Sequence, residues 1–229
     1  MRESTDEDTS FLFNPLTVLT CLGRPTSVFA TTFVLVATAE ACSGAAISST
    51  LALVLASYIS LHPVLLFPPL MVLAKQRQDQ KPKFSKETGS STPEAPQSLL
   101  VFFIAQGYVF AILFGGLLGL SYGVTRSWSF IPAVYGTRLL LPDLTPNVGL
   151  WWYFFIEMFD SFRSFFLGVF WLHMASYSPG LTIRLRNQPL AAAVLLCGIF
   201  TVFQPYANVG DAGAFLSMLT LYGHVFERR

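Results

Sequence analysis

Charge is the first thing this sequence has little of. Only 12% of its 229 residues are Asp, Glu, Lys or Arg, about half of the roughly 25% typical of a soluble domain. A chain this poor in charge cannot cover a water-facing surface, which excludes a soluble enzyme domain. Net charge is also nearly absent, at +1. No basic face is available to neutralise phosphates, so nucleic acid is excluded as a partner. Cysteine is sparse: Cys21, Cys42 and Cys197 stand far apart with no CxxC spacing and read as buried thiols within helices. The sequence contains no HExxH, Walker loop or Asn-x-Ser/Thr sequon, so no zinc-hydrolase, nucleotide-binding or glycosylation motif marks it. His62, His173 and His224 fall on separate segments without ligand spacing, and no metal or other cofactor is expected. The first ten residues, MRESTDEDTS, are acidic and polar. They lack the basic start and early apolar run of a cleavable signal, so membrane insertion must rely on internal segments.

What the sequence does have is apolar length. Apolar residues make up 53% of the chain and phenylalanine alone contributes 22 residues. Apolar blocks run at about 26–41, 44–61, 63–74, 99–124, 150–177, 190–204 and 211–226. A helix needs about 20 residues to cross roughly 30 Å of hydrocarbon; 99–124 and 150–177 meet that length, and 190–204 and 211–226 are marginal. The expected fold is an all-α, multi-spanning transmembrane bundle: a polar N-terminus at 1–10, then one membrane domain over 11–229. His62-Pro63 and Pro68-Pro69 interrupt the run from Gly44 to Ala74, predicting a kinked helix or a helix followed by a re-entrant one.

Residues 75–98 are rich in Lys, Gln, Ser, Pro and Glu and read as a disordered loop outside the membrane. Lys75, Arg77, Lys81, Lys83 and Lys86 place it in the cytosol by the positive-inside rule. Counting crossings then puts 125–149 and 205–210 in the lumen and 178–189 and the C-terminus in the cytosol. Arg184, Arg186, Arg228 and Arg229 fall on the cytosolic side, against only Arg126 and Arg138 in the lumenal loops.

Three constellations stand out. Gly115, Gly119 and Gly123 repeat every four residues, a spacing that lets a neighbouring backbone approach closely in a membrane. The 125–149 segment mixes aromatics with Pro132, Pro142 and Pro146 around Asp143 and Asn147. Its prolines oppose a regular helix, and its apolar content predicts a lip folded at the lumenal surface, with Trp128, Trp151 and Trp152 in the aromatic belt. Either it is an interface-anchored connector or it meets a lipid headgroup or partner subunit. Glu157, Asp160 and Arg163 follow at intervals of three inside the apolar block 150–177. They read either as a functional polar side, since ionisable groups in a membrane helix are costly, or as a local Asp160–Arg163 pair near the membrane boundary.

Trp128 to Gly136, Pro142 to Leu150, Trp152 to Phe155 and Glu157-Met158-Phe159 together resemble the middle of the PIG-U family, multi-spanning subunits of the glycosylphosphatidylinositol (GPI) transamidase. Asn14-Pro15 with Leu19-Thr20-Cys21, the Tyr58…His62-Pro63 break, and Pro205-Tyr206…Val209-Gly210-Asp211 are similar to the same family. The resemblance implies a fold like the membrane mannosyltransferases (GT-C), incomplete at both ends, because family members carry further helices before Asn14 and beyond Arg229. It implies a multi-pass protein of the endoplasmic reticulum membrane with no catalytic residues. Such a subunit helps attach GPI anchors by recognising the GPI lipid or the C-terminal attachment signal, beside the other transamidase subunits. The alternative is a dolichol-phosphate-dependent mannosyltransferase of GPI assembly, which would need an acidic pair in an early lumenal loop. Asp143, Asn147, Trp151, Trp152, Glu157 and Asp160 are the candidate lipid- or partner-binding residues, and Gly115, Gly119 and Gly123 the candidate packing residues.

Overall fold

The computed structural model describes residues 15–23, 25–80, 98–141, 146–147 and 149–220. Every regular element among them is helical. Proline sets where the helices begin, because a first-turn residue has no intrahelical partner for its N–H. Pro15 opens α1 (Pro15–Gly23), Pro68 and Pro69 lie in the first turn of α4 (Phe67–Gln80), and Pro189 opens α9 (Pro189–Phe203). Between α1 and α4 come α2 (Ser27–Ser43), α3 (Ala46–Ile59) and a 3₁₀ turn (His62–Leu66). The tight link between α2 and α3 depends on Gly44, whose φ is +79°. Its N–H donates to Ala41 O and that of Ala45 to Glu40 O, both at 3.0 Å, closing the end of α2. A Cβ at Gly44 would also stand 3.2 Å from Gln78 N, so α4 passes directly over the turn.

The break at His62-Pro63 is real. α3 ends at Ile59, Ser60 is extended, and the chain turns through the 3₁₀ segment into α4. α4 is the centre of the fold: Leu70, Met71, Leu73 and Ala74 are buried, and it touches α2, α3, α5 (Leu99–Thr125), α8 (Asp160–Arg184) and α9. α2 and α3 form the closest pair, through Ala37, Ala41, Ala52 and Ala56. Small side chains permit that approach, and Ser49 Oγ donates across it to Ala37 O at 2.8 Å. α10 (Val209–Thr220) closes the bundle against α9, α1 and α2.

α4 continues through Gln80 rather than ending at Ala74, so the expected loop at 75–98 begins later. Lys75 is buried where the helix continues, ion-paired to Asp79 at 2.8 Å with its ammonium 5.7 Å from the Phe102 ring centre. Residues 81–97 lie outside the described residues. The 150–177 block is not one helix: α7 (Leu150–Ile156) stops, residues 157–159 turn, and α8 starts at Asp160 and runs to Arg184. Leu16 to Gly23, which the apolar blocks omit, also form a helix.

Among the described residues one helix, α5, is both long and apolar enough to cross a membrane, with mean hydropathy 2.1. Little of it is buried. It meets only α3 and α4 closely, through the Phe67–Phe103 and Phe67–Phe110 ring contacts and two polar bonds. Thr50 Oγ1 donates to Gln106 Oε1 at 2.9 Å, and Tyr58 pairs with Ser121. α2, α3 and α9 are apolar but shorter, at 17, 14 and 15 residues.

Candidate functional site

The 125–149 lip is folded more regularly than its prolines suggest. Pro132 starts a single π turn (Pro132–Gly136) that leads into α6 (Thr137–Leu140). Tyr135 is buried and donates to Tyr58 O at 2.8 Å. Burial and the nearby Tyr58 phenol push the Tyr135 pKa up, so it remains a donor. Leu141 ends α6 with φ +48° and is fully buried. The orphan carbonyls of that helix end are satisfied from α8: Arg163 Nη2 donates to Leu141 O at 2.6 Å and Trp171 Nε1 to Leu139 O at 3.1 Å.

Asn147 fastens the other end. Its Nδ2 donates to Pro205 O at 3.1 Å, and its Oδ1 accepts the Gly149 N–H at 2.8 Å, which seats the N-terminus of α7. Gly149 packs so closely there that a Cβ would fall 2.9 Å from Ala207 Cβ.

Behind the lip lies a cavity of about 90 Å³ between α2, the 3₁₀ turn, α9 and α10. Such a volume holds several waters or one small polar group. Two polar clusters face it. On one side Asp211, at the start of α10, accepts from Thr31 Oγ1 (3.0 Å) and from the buried Gln204 amide (2.5 Å). On the other side Arg138 of α6 donates to Ser60 Oγ, which also meets His62 Nδ1 at 3.0 Å. The apolar wall is Leu66, Phe200, Phe215 and Met218. A smaller hollow reaches from Arg138 past Pro205 and Tyr206 to Trp171.

This cavity is the site that reasoning from the sequence missed. Asp211 is the one acidic residue between 190 and 220. The cost of an ionisable group in an apolar helix would have marked it. Nothing local in the sequence joins it to Arg138, which is 73 positions earlier.

The sequence-predicted residues are scattered around the lip. Asp143 lies outside the described residues. Asn147 is engaged as above. Trp151 leaves the expected aromatic belt: it is fully buried against Phe155, Phe170 and Trp171, and its indole N–H has no partner among the described residues. Trp152 is half-buried beside Tyr153. Glu157 and Asp160 are exposed on either side of the break between α7 and α8, so they do not share a helix face. Arg163 turns to Leu141 O, and the expected Asp160–Arg163 pair does not form; among the described residues the ion pair is Lys75–Asp79. A Cβ on Gly115, Gly119 or Gly123 would meet no atom of the described residues within 4 Å, so no described part of the chain packs on that stripe. Cys21 is exposed and Cys42 and Cys197 are half-buried, which corrects the expectation of three buried thiols.

The sequence matches the family described as PIG-U, GPI transamidase subunit PIG-U, over residues 9–229. It is 33% identical over 221 residues to the GPI-anchor transamidase component PIGU of Mus musculus, covering 95% of this chain and 48% of that protein. The human protein of the same name is 32% identical over the same coverage. The GPI transamidase component GAB1 of Saccharomyces cerevisiae is 32% identical over 218 residues, 94% of this chain and 50% of that protein. The chain thus spans about half the length of the curated relatives it matches. A family match running from residue 9 to residue 229, and relatives above 30% identical over nearly the whole chain, lead to one assignment: this chain belongs to the PIG-U family of GPI transamidase subunits.

Proposed function

We propose that the chain acts as a non-catalytic, multi-pass subunit of a GPI transamidase in the endoplasmic reticulum membrane. There it helps attach GPI anchors by recognising the GPI lipid or the C-terminal attachment signal. The observation that carries this reading is the family match from residue 9 to the end of the chain, shared with relatives named as transamidase components. The exposed apolar face of α5 and the short apolar helices α2, α3 and α9 support a bundle immersed in lipid, with the Lys/Arg distribution setting its orientation. The fold relation to GT-C proteins belongs to the same proposal.

The recognition surface in this reading is the lumenal edge formed by Asp143, Asn147, Trp152, Glu157 and Asp160, with Trp151 as its buried anchor. Exposed carboxylates at the α7–α8 break sit beside an aromatic cluster, an arrangement suited to a polar headgroup or a lumenal subunit at the membrane surface. A tagged form of the protein isolated from membranes should bring the other transamidase subunits with it. In the full-length protein, Glu157→Leu and Asn147→Leu should lower surface display of a GPI-anchored reporter in cells lacking the native subunit, with membrane insertion intact. Full display with both variants would make this edge a connector only, and absence of transamidase subunits from the purified material would overturn the assignment of function.

A further inference from the structure

The cavity behind the lip contains a charge arrangement that the fold leaves incomplete. Asp211 is held by neutral donors only, the Thr31 hydroxyl, the Gln204 amide and the Asn208 backbone N–H. A carboxylate has about four acceptor sites, so one remains. Arg138 brings five N–H donors, of which one is used among the described residues, on Ser60 Oγ. Both side chains line the same cavity, yet no ion pair within 4.0 Å joins them. They cannot simply close on each other. α6, which carries Arg138, is pinned from behind by Arg163 and Trp171 of α8. Asp211 is pinned by Thr31 of α2 and by Gln204 at the end of α9. Two opposite charges held apart in an apolar bundle each retain a desolvation cost that their mutual attraction does not offset.

A ligand that carries a cation and an anion a short link apart meets both needs. We propose that this cavity takes an aminoethyl phosphate group, the headgroup of phosphatidylethanolamine, with its ammonium on Asp211 and its phosphate beside Arg138. The ammonium offers a charged donor to a carboxylate with one acceptor site to spare. The guanidinium fork suits a phosphate. Arg138 stands at the junction with a second hollow, of about 20 Å³, toward Trp171, and the ester link to the acyl chains would leave on that side. Both charged segments lie at the end of the bundle that the basic-residue distribution assigns to the lumen, which is headgroup depth. A trimethylammonium has no N–H to donate and is bulkier, and a cavity of about 90 Å³ disfavours it on both counts. The inference concerns a membrane phospholipid and goes beyond the GPI reading; its test uses neither a GPI reporter nor a partner subunit, so either can fail alone.

The full chain is purified in detergent micelles containing equal amounts of dioleoyl-phosphatidylethanolamine and dioleoyl-phosphatidylcholine, and retained lipid is counted by native mass spectrometry. The ethanolamine lipid should be retained by roughly tenfold or more over the choline lipid, the effect of losing charge-assisted N–H donors. Asp211→Asn, which keeps shape, should bring the two lipids to parity. Arg138→Gln should lower retention of both, since both carry the phosphate. Ala214→Leu, which fills the cavity without altering charge, should expel the ethanolamine lipid. Free O-phosphoethanolamine should displace the bound lipid and phosphocholine should not. Equal retention of the two lipids by the unmodified chain overturns the proposal without recourse to any variant. So does a preference that survives Asp211→Asn, or one that free O-phosphoethanolamine cannot compete away.

Discussion

Adding one methyl group at Gly149 should loosen the whole lumenal edge. The backbone there has φ −79° and ψ 153°, which alanine adopts freely, so Gly149→Ala introduces no torsional strain and tests packing alone. The new Cβ would lie 2.9 Å from Ala207 Cβ, 2.9 Å from Asn147 Oδ1 and 3.3 Å from Gln204 O. Ala207 Cβ and Gln204 O cannot swing aside, because both are fixed to the main chain. One escape is for Asn147 to rotate away, losing its two hydrogen bonds at about 1 kcal/mol each. The other is for residues 204–207 to retreat, an overpacking cost of about 1–3 kcal/mol. Both routes cost roughly 2 kcal/mol, which lowers Tm by about 4–8 °C on the scale for a chain of this size. Thermal unfolding of the purified chain in detergent reads this directly. Gly116→Ala, whose Cβ would meet nothing within 4 Å, is the control and should be neutral or slightly stabilising. Ala207→Gly in the Gly149→Ala background removes the facing methyl and should restore part of the loss, leaving the Asn147 contact. A Gly149→Ala protein as stable as the unmodified one, or no recovery with Ala207→Gly, would refute the close approach of the lip to the α9–α10 turn.

Three further outcomes are expected. Cysteine labelling in sealed microsomes should modify Ser90→Cys from the cytosolic side and Thr145→Cys only after permeabilisation; the reverse pattern inverts the topology. Gly119→Leu should leave the isolated chain folded, since nothing in it touches that face, but should weaken recovery of partner subunits on co-purification if a neighbouring helix packs there. Equal recovery means the stripe meets lipid. Thr50→Val removes the donor to the buried Gln106 amide oxygen and should cost about 1–3 kcal/mol, read as faster amide hydrogen exchange along α5, with Gln106→Leu added to it recovering part of the loss.

Helix existence was legible from composition and proline placement. Block boundaries at 26–41, 44–61, 99–124 and 190–204 lie within a few residues of α2, α3, α5 and α9, because in those segments apolar length and helix length coincide. Reading went wrong where an apolar run conceals a turn. Leu150 to Tyr177 is apolar almost throughout, yet Glu157-Met158-Phe159 breaks it, and no proline or glycine marks the place. The reverse error occurred at Lys75 to Gln80, polar enough to read as loop but continued as helix by Lys75–Asp79 pairing. Trp151 was misplaced for a related reason: an indole at the start of an apolar segment suits a membrane interface, and only the arrival of Phe170 and Trp171 from α8 encloses it. The cavity was illegible because Thr31, Ser60, Arg138 and the Gln204–Asp211 turn come from four separate stretches, brought together by contacts far apart in sequence.

The way α6 is held carries a mechanical consequence. Arg138 faces the cavity, but two carbonyls just after it, at Leu139 and Leu141, are gripped by Trp171 and Arg163 of α8, a helix that does not line the main cavity. The guanidinium is therefore mounted on α8 as on a lever arm. α8 also hooks the 3₁₀ turn, where Ser178 Oγ donates to Leu65 O at 2.5 Å, so a tilt of that helix pulls on His62 and on Arg138 at once. Whatever presses on the outward side of α8, lipid or neighbouring subunit, moves the cationic wall of the cavity relative to Asp211, and the spacing between the two charges becomes a gauge of load on the bundle's flank.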